Sequence, residues 1–169
     1  ISTLLQKDLE LVKLRLIECR EPREQDVWLH SLVHVARTIN PYLPPAEAAA
    51  VWARFVAAPC FATLQEFQRH WIRLFAATGA RDAVHSAALA SSLLTSQTEL
   101  SRDAREYLLM AGMAGHIAAG EPQRARELWE NYRDRIRGAA SPVFRLLRCH
   151  AARGDERDCA AAFAPYAGG

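Results

Sequence analysis

Apolar residues recur along this chain at the three- and four-residue spacing of amphipathic α-helices. In the first predicted helix, residues 2–20, the side chains of Leu5, Leu9, Val12 and Leu16 fall on one face. No run alternates apolar and polar residues over the length of a strand, and β-branched residues are sparse. The pattern therefore predicts an all-α protein of about nine helices.

Prolines and capping residues mark the ends of these helices. Pro45, Pro122 and Pro142 suit the first turn of a helix, where proline removes no helical hydrogen bond. The segment Thr63–Glu66 has the form of a capping box, and Ser101 is a predicted N-cap. The predicted helices span residues 2–20, 23–39, 45–58, 63–79, 81–94, 101–119, 122–138, 141–154 and 156–166.

The stretch from residue 106 to residue 166 nearly repeats itself. Gly120 and Gly154 are 34 positions apart, and each stands between two apolar helical runs. Similar residues occupy equivalent slots around the two glycines: His116 and His150 before the turn, then Ala125 and Cys159, then Trp129 and Phe163. Self-similarity at this period is typical of helix–turn–helix repeats that stack against one another.

The segment AGMAGHIAAGEPQRARELWENY resembles a tetratricopeptide repeat. In that family a Gly-Asp or Gly-Glu turn joins two helices, a small residue follows the glycine, and an aromatic residue comes one turn later. A looser match has Gly79 as its turn and Val84 in the small-residue slot. The resemblance covers about residues 63–165 and implies a right-handed array of antiparallel helix pairs, a TPR-like α-solenoid. Residues 1–60 would be divergent helices or a cap, within one helical-repeat domain (1–169) excised from a longer chain.

The resemblance also implies where a partner would bind, because the first helix of each pair lines a concave surface that holds peptides in such arrays. Carrying the repeat register over places six residues on or near that groove: Arg69, Arg73, Tyr107, Met110, Arg145 and Arg148. Arginine forms forked, charge-assisted hydrogen bonds with carboxylates, so an acidic-apolar peptide would suit the groove. The alternative is that these arginines pair with acidic residues on adjacent helices.

Composition limits the classes of partner. The formal net charge of +2 and the absence of a basic stripe argue against nucleic acid. No apolar run is long enough for membrane insertion. Arginine far outnumbers lysine, which occurs only at positions 7 and 13, a bias typical of GC-rich bacterial coding sequences. We therefore expect a bacterial protein located in the cytoplasm.

Candidate chemistry is sparse. The chain contains no phosphate-binding loop, dinucleotide-binding motif or nucleophile elbow. His30 and His34 have the spacing of a metal-binding pair, but no third ligand is evident and both are expected in solvent. His116 and His150 are expected to be partly buried and hydrogen-bonded. We therefore predict no catalytic residue, no metal and no cofactor.

Two further residue types carry structural expectations. The four cysteines show no close pairing, and we expect buried free thiols. Gly112 and Gly115 lie inside a predicted helix, where they would permit close approach of a neighbouring helix. The sequence as a whole favours a scaffold-like protein-interaction module, and the second hypothesis is a structural or regulatory appendage that packs against another part of a larger bacterial enzyme or membrane protein.

Overall fold

The computed structural model of the chain describes Lys7, Ala36, residues 40–96 and residues 100–152. These residues are all-α and contain no β-strand, as the periodicity predicts. The helices are α1 (Pro45–Val56), α2 (Pro59–Thr63), α3 (Glu66–Gly79), α4 (Ala83–Ser96), α5 (Arg102–Ala118), α6 (Pro122–Tyr132), a 3-10 helix (Arg133–Arg135) and α7 (Pro142–Ala151). The predicted helices at 2–20, 23–39 and 156–166 lie outside the continuous described ranges, and the stacked array of nine helices stays a prediction.

The chain divides into two compact units, Ile1–Asp82 and Ala83–Gly169, which we call the N-terminal and the C-terminal unit. In the N-terminal unit α1 packs against α3. Trp52 and Phe75 join these two helices with ring centroids 5.4 Å apart, and neither side chain is exposed.

The start of α3 differs from the predicted capping box. Thr63 is the last residue of α2, so it cannot serve as the N-cap of the next helix. The N-cap is Gln65, whose backbone N–H donates to Oε1 of Gln68 at 2.9 Å. Side-chain capping is therefore present, but it begins two residues after the predicted position.

Helix α3 ends at Gly79 as predicted, but the turn residue is not Gly79, as the repeat resemblance implies. Gly79 is the last helical residue, and the left-handed conformation falls on Arg81, with φ of 59°. The N–H of Asp82 donates to the carbonyl oxygen of Ala77 at 2.9 Å, and that of Arg81 to Thr78 at 3.3 Å. These two hydrogen bonds form a Schellman motif, which normally has glycine in the left-handed position.

Gly120 holds the equivalent position after α5, with φ of 78°. There the N–H of Glu121 donates to the carbonyl oxygen of His116 at 2.7 Å. Arg81 is therefore the structural counterpart of Gly120, and the small residue five positions later is Ser86, which is 4% exposed. Val84 was predicted for that slot, but 65% of it is exposed to solvent.

In the C-terminal unit α5 is the central helix and packs against α4, α6 and α7. Ser101 caps it as predicted, with its Oγ accepting from the N–H of Ala104 at 3.1 Å. Gly112 and Gly115 allow close packing, also as predicted. A Cβ built on Gly115 would lie 2.8 Å from the backbone nitrogen of Ala87 on α4.

Helix α6 ends at Tyr132, six residues before the predicted end near Gly138. The chain then makes a 3-10 turn, and Ile136 is extended. Two hydrogen bonds hold this segment in place: Tyr132 donates its hydroxyl to the carbonyl of Leu94 at 3.2 Å, and the N–H of Gly138 donates to Glu106 Oε2 at 3.0 Å. Contacts distant in sequence therefore end the helix.

Candidate functional site on the C-terminal unit

The six predicted groove residues are divided between the two units. Arg69 and Arg73 lie on α3 in the N-terminal unit, and the Arg73 guanidinium is 5.9 Å from the ring centroid of Phe61. Tyr107 and Met110 lie on α5 in the C-terminal unit. Tyr107 is only 7% exposed, so it belongs to the core of that unit and leaves little ring surface for a ligand.

The other two predicted residues, Arg145 and Arg148, share α7 and are both half-buried. The Arg148 guanidinium stands 5.2 Å from the ring centroid of Trp129, a cation–π distance. Trp129 in turn packs on Phe144 with ring centroids 5.4 Å apart. Arg148 therefore contacts the aromatic pair that packs α6 against α7. Its positive charge belongs to a helix that contains no acidic residue.

The exposed face of α7 is apolar for much of its length. Val143 and Leu146 lie one helical turn apart and are 48% and 39% exposed. His150 lies one further turn along the same face and is exposed, which corrects the prediction that it is partly buried. We call Val143, Leu146 and His150 the α7 face.

A second arrangement surrounds His116, in the last turn of α5. Its Nδ1 lies 2.8 Å from Oε2 of Glu121, the N-cap of α6, and its Nε2 lies 3.2 Å from Oγ of Ser91 on α4. The hydrogen bonds of His116 confirm the prediction, and the imidazole, at 6% exposed, is buried rather than partly buried. One side chain thereby links three helices of the C-terminal unit. We call Ser91, His116 and Glu121 the His116 cluster.

A cleft of about 290 Å³ opens beside the His116 cluster. Side chains from α4, α5 and α6 line it: Ala88, Ser91, His116, Arg124, Glu127, Leu128 and Asn131. Arg124 reaches back to the cluster, with its Nη1 at 3.4 Å from Oε1 of Glu121. The cleft therefore combines a hydroxyl, an imidazole, a guanidinium, an amide and the carboxylate of Glu127 with two apolar walls.

The chemistry of the His116 cluster was not found from the sequence. Ser91 and His116 are 25 positions apart, and no local motif marks the serine. Glu121 follows the Gly120 turn, and its distance of five positions from His116 is unremarkable in a helical sequence. Hydroxyl, imidazole and carboxylate stand in the order used for nucleophile activation, an arrangement identified by geometry rather than by sequence position.

Cys149 corrects the expectation of free thiols. It is 6% exposed and disulfide-bonded, so it offers no thiolate to a nucleophile pair or to a soft metal. The histidine pair His30 and His34 lies outside the described residues. Among the residues that are described, no group of three or more histidine, cysteine or acidic side chains could hold a metal ion.

Comparison of the chain with protein-family models, curated proteins and solved structures gives no match. None of the helices within the described ranges combines the length and the hydropathy required to cross a bilayer.

Proposed function

We propose that this chain is a protein-interaction domain that binds a helical segment of a partner through the α7 face. The observation that carries the proposal is the exposure of Val143 and Leu146 on a helix whose opposite side is well packed. Contiguous apolar area exposed on a protein surface is typical of interaction sites. A partner that covers both of them would remove this apolar area from water.

Charge complementarity defines the chemistry of the partner. Helix α7 carries Arg145, Arg148 and His150 and contains neither Asp nor Glu. Within the described part of the chain, Arg145 forms no ion pair. An amphipathic helix with leucines on one face and glutamates beside them would supply both the apolar contact and the carboxylates.

The proposal keeps part of the groove that the sequence predicts. Arg145 and Arg148 supply the positive charge of the binding surface, whereas Val143 and Leu146 replace Tyr107 as its apolar part. Arg69 and Arg73 belong to the N-terminal unit and are not needed for this surface. The helical-repeat organisation predicted from the sequence would suit this proposal, since repeat arrays bind partners through surface helices.

The direct test uses a fluorescently labelled synthetic peptide that is helical, with leucines on one face and glutamates on the others. We expect saturable binding that weakens with salt, and none to the same peptide with lysine in place of glutamate. The double variant Val143→Asp/Leu146→Asp should weaken binding at least about tenfold, because each buried aliphatic side chain contributes roughly 1.5–3 kcal/mol.

The chain offers a matched control for that variant. Val84 is 65% exposed on α4 of the same unit, so Val84→Asp adds a charge of the same kind outside the α7 face. Binding should be unchanged in this control, and circular dichroism should be unchanged in both variants. Equal binding by wild type and the α7 double variant would reject the α7 face as the interaction surface. No binding by the folded wild type would favour the hypothesis of a structural appendage.

A further inference from the structure

We propose that the His116 cluster is a serine acyl-transfer site for small esters, with Ser91 as nucleophile, His116 as general base and Glu121 as positioning residue. The proposal goes beyond the interaction function, because the residues involved lie on α4, on α5 and at the N-cap of α6. None of them belongs to the α7 face.

Hydrogen-bond geometry carries the assignment. The Glu121 carboxylate only accepts hydrogen bonds, so at 2.8 Å it places the proton of the neutral imidazole on Nδ1. The lone pair on Nε2 then faces the Ser91 hydroxyl, whose oxygen lies 3.2 Å away. This is the relation in which a histidine takes the proton of an attacking hydroxyl while a carboxylate fixes its tautomer.

Burial separates the roles of the three side chains. The His116 side chain is 7% exposed, whereas that of Glu121 is 40% exposed. Ser91 is half-buried and lines the cleft, so a ligand in the cleft can reach its Oγ. The base is thereby shielded from bulk water while the nucleophile remains accessible, as an activated serine requires.

The surrounding helices hold the cluster rigidly. Gly115, next to His116, packs against the α4 backbone so closely that an added Cβ would lie 2.8 Å from the nitrogen of Ala87. Ala87 is one helical turn before Ser91, so this contact sets the spacing between the nucleophile and the base. The N–H of Glu121 donates to the carbonyl of His116 at 2.7 Å, which holds the carboxylate beside the imidazole.

The cleft supplies the remaining parts of such a site. Arg124 and Asn131 line it and carry N–H donors that can stabilise a developing oxyanion. Ala88 and Leu128 provide apolar walls for an acyl chain. A volume of about 290 Å³ has room for a short-chain acyl ester.

Ester hydrolysis at this site would need only the three side chains and water. Ser91 Oγ forms a bond to the ester carbonyl carbon as its proton passes to His116 Nε2, and the carbonyl oxygen takes the negative charge. The tetrahedral species collapses, the bond to the alcohol oxygen breaks, and His116 returns the proton to the leaving alcohol. Water then attacks the acyl-serine, again giving its proton to His116, and the carboxylic acid leaves as the serine hydroxyl is restored.

The test uses p-nitrophenyl acetate with intact-mass and peptide-mass analysis of the quenched protein. We expect a burst of nitrophenol and one acetyl group on Ser91. Ser91→Ala should abolish the burst and the modification, and Ser92→Ala, at the next and exposed position of the same helix, should keep both. His116→Gln should slow acylation by roughly 10²–10⁴-fold, the contribution of a positioned general base.

Glu121→Gln tests the positioning role, because it keeps the size of the side chain and removes the charge. The turnover number should fall while KM and the burst amplitude per mole of protein stay constant, whereas a partly unfolded protein would give a smaller burst. Circular dichroism of each variant checks the fold, and the Val143→Asp/Leu146→Asp variant should retain the activity even where it loses peptide binding. Acetylation elsewhere than Ser91, or a burst of equal size in Ser91→Ala, would overturn the assignment.

Discussion

Trp52 donates its indole N–H to the side-chain oxygen of Asn40 at 2.7 Å, and both residues are buried. The amide nitrogen of Asn40 donates in turn to the carbonyl of Phe75 and to Oγ1 of Thr78, each at 2.9 Å. The side chain of Asn40 thus uses its acceptor and both of its donors. A single polar residue connects α1 to the last turn of α3, in the middle of an aromatic core.

Removal of this amide should destabilise the protein. We expect Asn40→Ala to lower the free energy of unfolding by roughly 1–3 kcal/mol or more, because the Trp52 N–H loses its partner inside the core. Urea denaturation followed by tryptophan fluorescence measures the change. Tyr42→Ala is the control: Tyr42 is 76% exposed, and its effect should remain within about 0.5 kcal/mol. Equal effects of the two variants would show that the Asn40 hydrogen bonds are not important.

Gly79 and Gly120 should respond to alanine for different reasons. A Cβ on Gly79 would lie 2.8 Å from Asn40 Oδ1 and 3.1 Å from Trp52 Cδ1, so Gly79→Ala should destabilise by roughly 1–3 kcal/mol through overpacking. A Cβ on Gly120 would meet nothing within 4 Å, but its φ of 78° should still cost about 1–2 kcal/mol. The distinction appears in near-ultraviolet dichroism, which should change for Gly79→Ala and remain native-like for Gly120→Ala.

Gly115→Ala should disturb the packing of α4 on α5. The added methyl would meet backbone atoms, the nitrogen of Ala87 at 2.8 Å and the oxygen of Ala83 at 2.9 Å, which cannot rotate away. We expect a loss of roughly 1–3 kcal/mol in chemical denaturation. Ala114→Ser, at the exposed position immediately before it, should change stability by less than about 0.5 kcal/mol. A stable Gly115→Ala variant would contradict the close helix contact.

The disulfide at Cys149 should contribute to the stability of the protein. Cys149→Ser should lower the free energy of unfolding by roughly 2–4 kcal/mol, because the denatured chain regains freedom that the cross-link removes. Differential scanning calorimetry of wild type and variant without reductant measures the difference. Unchanged unfolding would mean that the bond adds nothing to the folded state.

Two serines at helix N-termini provide a matched pair of capping variants. The Ser101 oxygen accepts the N–H of Ala104, so Ser101→Ala should destabilise by roughly 0.5–2 kcal/mol. Ser141 holds the equivalent position before α7 but makes no side-chain capping bond. Ser141→Ala should therefore have a smaller effect in the same thermal denaturation experiment. The reverse order would contradict the assignment of Ser101 as the effective cap.

Features that depend on neighbouring residues were predictable from the sequence. The helical class, the cap at Ser101 and the helix starts at Pro45, Pro122 and Pro142 all follow from contacts within one helical turn. The role of Gly115 was also predictable, since a glycine inside an apolar helix favours close approach of another helix. The sequence also indicated a buried, hydrogen-bonded His116, although it named neither partner.

Features that depend on contacts between distant residues were decided by the tertiary structure. The repeat resemblance makes Gly79 the turn residue, whereas in the structure Gly79 packs against Asn40 and Trp52 as the last residue of α3, and the left-handed position falls to Arg81. The Arg81 guanidinium offsets that strain by donating to the carbonyl oxygen of Asn40 at 2.7 Å. No local sequence pattern predicts the left-handed conformation of Arg81, because it depends on two elements that meet only in the folded structure.

The same reason explains the two candidate surfaces. Tyr107 lies in the core, whereas Val143 and Leu146 are exposed to solvent. The helices that surround α5 and α7 decide this difference, and the period of the sequence does not specify them. Ser91, His116 and Glu121 come together only because α4, α5 and the start of α6 converge. Periodicity and caps depend on a few consecutive residues, and for this reason the sequence by itself determined the helices. The neighbours of each helix arise from packing of the whole unit, and they determined the sites.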